Sequence, residues 1–155
     1  MFYQITLFLH SWLRWPVMLL LLATLFISLY GWLAKRPFSD KHGKLFAFYS
    51  GMLGIQGITG LVLFFVTSPI TTYILYHNMK GITADPGITF FTLRHPLSMF
   101  IAVIICNTGK KRAGKMLLPA VKFRTWFIFT LIVFLVVMAN IPWPSMEFGR
   151  PLFRF

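Results

Sequence analysis

Acidic side chains are almost missing from this chain: there are three, Asp40, Asp85 and Glu147. No two of them sit close enough in sequence to suggest paired acid–base work. There is one cysteine, Cys106, so no internal disulfide forms and no cysteine-built metal set exists. Cys106 lies inside an apolar run and reads as a small buried apolar residue. There is no nucleophile beside a base, no phosphate loop, no zinc spacing, no long internal repeat and no low-complexity tract. Independent hydrolase or group-transfer chemistry therefore has no visible machinery.

What remains is apolar and basic. Of the 155 residues, 57% are apolar and only 12% are charged. The mean hydropathy is +0.74. A soluble domain of this size cannot hide that much apolar surface, whereas lipid accepts it. The net charge is +12. The Lys and Arg flank apolar runs instead of lining a polar stripe, which points to a membrane surface and away from nucleic acid.

A bilayer core takes about 20 apolar residues of helix. Four segments meet that length: about 7–34, 45–66, 90–107 and 125–141. The expectation is an all-α integral membrane four-helix bundle, a single transmembrane domain over 1–155. The first run has no basic leader and no small-residue cleavage site, so it reads as a retained helix. Ile70–His77 reads as a short interfacial helix, and Asn78 and Ala84-Asp85-Pro86-Gly87 as turns. Trp12, Trp15 and Trp143 suit an aromatic belt at one face, Trp32 and Trp126 one at the other.

The first and third connections hold ten of the 15 Lys and Arg. With four spans they share one side of the membrane. The positive-inside rule puts that side in the cytoplasm and both termini outside, an N-out/C-out topology.

Ionisable groups at membrane depth need a partner or a role. His10 and Arg14, four residues apart, share a face of the first helix. Arg94 and His95 lie a few residues into the third helix, followed by Pro96. Both helices run inward from the same side, so the two histidines lie at similar depth. Two such imidazoles can clamp a metal porphyrin from both faces, and the bundle core is where such a site is built. Arg14 or Arg94 then balances haem propionates. The competing reading puts His10 and Arg14 in the headgroup region and makes Arg94-His95-Pro96 an interfacial helix start. Gln56, polar near mid-membrane, is expected to bond across helices or to a ligand. Thr59 is expected to satisfy itself on its own preceding turn. Gly51, Gly54, Gly57 and Gly60 drift around the second helix and allow close packing. His42 and His77, in the connections, read as solvated.

The run Leu9-His10-Ser11-Trp12-Leu13-Arg14 resembles the opening of small bacterial four-helix membrane proteins labelled cytochrome b-like. Gln56 to Val66 is similar to that family's second helix, His95-Pro96-Leu97-Ser98-Met99 to its third-helix start, and Ile141-Pro142-Trp143-Pro144 to its ending. The likeness covers nearly the whole chain in register. It departs at Gly54, where the family commonly has His, and at Arg94, where it has Glu. The resemblance implies a multi-pass protein of the bacterial inner membrane that binds haem b and transfers electrons within a larger complex. The rival expectation is an accessory subunit that carries no cofactor, or binds a chlorophyll-type pigment through the same histidines.

Overall fold

Proline and charge placement decide where the helices of this computed structural model begin and end. Residues 1–77, 79–83 and 85–153 are described. The elements are α1 (Phe2–Leu33), α2 (Asp40–Val62), α3 (Pro69–His77), α4 (Pro86–Thr89), α5 (His95–Gly114) and α6 (Pro119–Asn140). Two wide turns join them: Leu63–Thr67 continues α2, and Phe90–Arg94 fuses α4 to α5. No strand occurs among the described residues. Four continuous helical stretches are long and apolar enough to cross a membrane: Phe2–Leu33, Asp40–Thr67, Pro86–Gly114 and Pro119–Asn140. They outrun the apolar segments because charged residues at their ends, such as Lys110–Arg112, stay helical beyond the hydrocarbon.

Local chemistry explains the boundaries. Proline stands in the first turn of α4 and α6, where its missing N–H costs nothing, whereas Pro96 follows the wide turn inside one continuous helical stretch. The Asp85 carboxylate accepts from Ile88 N–H at 2.9 Å and caps α4. Pro86 and Gly87 thus begin a helix, a correction to the turn expected there; Asn78 and Ala84 lie outside the described residues. The short helix expected at Ile70–His77 is α3. At the far end, α1 stops at a reversal in which Lys35 adopts φ 50°, the left-handed region. Arg36 N–H then reaches back to Gly31 O at 3.0 Å, closing the helix end.

The bundle has a simple neighbour order. α1 packs on α2 and α6, and α5 packs on the same two helices. α1 and α5 therefore face each other across the diagonal. Phe46, Tyr49, Ala102, Phe123 and Val133 are fully buried along the axis. Trp126 belongs to this core: it is buried, with its ring 4.7 Å from that of Phe46. This corrects its expected place in an aromatic belt, since the face of α6 that carries it points at α2. The glycines of α2 drift as expected. A Cβ at Gly51 or Gly54 meets nothing within 4 Å, whereas at Gly57 it meets Val103 and at Gly60 His10.

Candidate functional site

At one end of the bundle the diagonal is bridged by two histidines. The His10 and His95 ring centroids are 6.4 Å apart, with ring planes at 82°. Each ring is aimed by a specific local feature. The wide turn Phe90–Arg94 ends with the N–H of His95 bonded to Phe90 O, five residues back. One extra residue per turn re-aims the face that follows, and such turns recur at functional sites. His10 is seated by Gly60 on α2: a Cβ there would lie 3.1 Å from His10 Cε1. A side chain at position 60 would crowd the imidazole.

The hydrogen-bond partners indicate which nitrogen of each ring carries the proton. His95 Nδ1 lies 2.7 Å from the Asn140 carbonyl oxygen, which can only accept. His95 therefore donates Nδ1–H, and its Nε2 keeps a lone pair. For His10 the argument takes one more step. Thr59 Oγ1 donates its single proton to Gln56 O at 2.9 Å. Toward His10 Nδ1, 3.2 Å away, the same oxygen is then an acceptor. His10 also donates Nδ1–H and also keeps its lone pair on Nε2. The polar neighbour of that lone pair is Gln56 Nε2, at 3.4 Å, longer than an ordinary N–H···N contact. The same amide nitrogen donates to His10 O at 2.9 Å. Gln56 Oε1 is buried and has no hydrogen-bond partner among the described residues. This is the cross-helix role expected of Gln56. Thr59 does more than satisfy its own turn, a correction to the expectation for it.

The two arginines are held near the same end. Arg94 Nε donates to Asn140 Oδ1 at 3.2 Å, and its guanidinium carbon lies 5.9 Å from the Phe90 ring centre. Asn140, which the sequence gave no reason to single out, thus holds both His95 and Arg94. Arg14 donates to Leu152 O at 2.5 Å, and Trp15 Nε1 to the same carbonyl at 3.3 Å. The Phe153 ring stacks on Trp15 at 5.0 Å. The segment after α6 therefore folds back over the end of the bundle that carries the histidines. Phe148 packs 4.5 Å from Phe90, which in turn lies 5.7 Å from the His95 ring. A cavity of about 310 Å³ opens beside them, lined by Thr83, Pro86, Thr89, Phe90, Arg94 and Phe148.

His42 and His77 are apart from this site. His77 is exposed, as expected. His42 is half-buried, its ring 5.0 Å from Phe123, which corrects the expectation that it is solvated. It sits at the third position of α2, where it accepts the Ser39 backbone N–H at 3.1 Å. Among the described residues no three His, Cys, Asp or Glu side chains converge. A metal at this site would take two protein ligands, His10 and His95.

No family model, no curated protein and no solved structure matches this chain.

Proposed function

We propose that this chain is a b-type cytochrome-like membrane subunit, holding haem b between His10 and His95 and passing electrons within a larger membrane complex. One observation supports the reading: two imidazoles approach across the bundle diagonal, their centroids 6.4 Å apart, each with Nδ1 beside an acceptor and its Nε2 lone pair left over. Metal-bound histidines are oriented in this way by an acceptor behind the ring.

The residues fit the group. A point midway between rings 6.4 Å apart is about 3.2 Å from each centroid. A metal held midway between the rings would lie that far from both centroids. A porphyrin would need few ligands from the protein, and His10 and His95 would supply them. When bound, the group supplies reversible one-electron chemistry at iron. The protein's share is orientation and charge. Asn140 holds His95, Thr59 holds His10, and Gly60 leaves room for the His10 ring. Gln56 presents an unused acceptor beside that ring. Arg94 and Arg14 supply positive charge at the same end, suited to carboxylates at the haem edge.

The topology that goes with this reading is N-out/C-out in a bacterial inner membrane. The ends joining α1 to α2 and α5 to α6 carry ten of the 15 Lys and Arg, which supports placing them in the cytoplasm. The haem site then lies in the outer half of the bilayer.

A pyridine haemochrome assay on the purified full chain tests the proposal. The expected result is about one haem b per chain. Protein that purifies without any haem, from cells supplied with it, would instead favour a cofactor-free accessory subunit. A chlorophyll-type absorption would assign the same histidines to a pigment.

A further inference from the structure

The opposite end of the bundle carries a second cavity, of about 270 Å³, where α1 ends and α2 begins. Its wall is apolar: Ile27, Tyr30 and Gly31 from α1, and Phe123 from α6. Its mouth is polar: Arg36, Ser39 and His42 line it. The backbone sets this mouth rigidly. The left-handed Lys35 and the Arg36 N–H to Gly31 O bond place Arg36 directly after the helix end. His42 Nδ1 accepts from the Ser39 backbone N–H, so a neutral His42 carries its proton on Nε2 and remains a donor. Lys122 Nζ lies 4.8 Å from the Phe38 ring centre, and Phe38 packs on both His42 and Phe123. One cavity thus joins an apolar wall to a cationic, hydrogen-bond-donating rim.

We propose that this cavity binds one anionic phospholipid, its phosphate at Arg36 and His42 and an acyl chain along Ile27, Tyr30 and Phe123. Charge complementarity selects the headgroup. This end of the molecule holds ten of the 15 Lys and Arg and a single acid, Asp40. Basic clefts between membrane helices favour acidic headgroups over zwitterionic ones. The wall selects a lipid over a free anion, because inorganic phosphate would leave the apolar surface uncovered. The site stands apart from the histidine pair, so the haem reading and this one fail separately.

The test uses the full chain in nanodiscs of phosphatidylcholine with and without phosphatidylglycerol. Retained lipid is read by native mass spectrometry and stability by thermal unfolding. The wild type is expected to retain phosphatidylglycerol with a several-fold preference and to unfold at higher temperature in its presence. Arg36→Gln should abolish the preference, and Arg36→Lys should keep most of it. Lys115→Gln removes the same charge at the same end, outside the cavity, and should leave the preference intact. Ile27→Trp, which fills the wall and spares every cation, should lose the lipid. Equal loss in Lys115→Gln and Arg36→Gln would reduce the effect to a diffuse surface field and overturn the proposal. So would full retention by Ile27→Trp, or displacement of the lipid by inorganic phosphate.

Discussion

Thr59→Val is the substitution that bears most sharply on how His10 is held. Valine keeps the shape of threonine but cannot accept a hydrogen bond. In the folded chain Thr59 Oγ1 takes the His10 Nδ1–H at 3.2 Å while giving its own proton to Gln56 O at 2.9 Å. Losing the hydroxyl strands a buried ring N–H, which costs about 1–3 kcal/mol. The Gln56 carbonyl loses less, because it belongs to a helix. In a domain of this size that penalty lowers the unfolding temperature by roughly 2–12 °C. A ring no longer fixed at Nδ1 is also a poorer metal ligand. Loss of such a supporting contact typically weakens metal affinity about 10- to 100-fold. Both effects are measurable on one preparation, by thermal unfolding in detergent and by haem titration. Thr59→Ser keeps the oxygen and should restore most of both. If Thr59→Val matched the wild type in stability and in haem titration, the tautomer argument for His10 would be wrong.

Two further predictions concern the scaffold. A Cβ at Gly109 would lie 2.5 Å from Phe129 Cβ, an atom fixed to the α6 backbone, so Gly109→Ala must push α5 and α6 apart. Net destabilisation of about 1–3 kcal/mol is expected in a denaturation titration. Gly54→Ala meets nothing within 4 Å and should instead gain up to about 1 kcal/mol from helix propensity; the same sign for both variants would refute the packing described. Lys35 has φ 50°, where a side chain is strained and glycine is not. Lys35→Gly should stabilise the chain by roughly 0.5–1 kcal/mol in thermal unfolding, and an unchanged or lower midpoint would count against that turn.

The four crossings were legible because they rest on long apolar runs bounded by charge, a signal that survives any detail of packing. The approach of His10 and His95 was legible too, since their two helices run in the same direction through the bundle. Other parts were not. The third helix was expected from about residue 90, but the chain is already helical from Pro86, and the wide turn before His95 leaves no mark in apolar periodicity. Thr59 serves through a hydroxyl, and Asn140 holds His95 through its backbone carbonyl and Arg94 through its side-chain oxygen. Residue type does not announce a carbonyl's role, and a membrane threonine usually bonds its own helix. The fold-back after α6 escaped for a different reason. Its hold on Arg14 runs through Leu152 O, a backbone group 138 positions away, with no periodic pattern to foretell it. Trp126 shows the limit of composition arguments: tryptophan favours interfaces, but the helix face it occupies decides.

The most direct measurement is the reduced-minus-oxidised absorption spectrum of the purified chain, compared across single histidine variants. The account predicts a sharp alpha band and a low-spin Soret band in the wild type. Both should be lost in His10→Ala and in His95→Ala, and kept in His42→Ala and His77→Ala. A spectrum unchanged in His10→Ala or His95→Ala, or no haem band in wild-type protein made with haem in supply, would contradict the claim that these two histidines form the site.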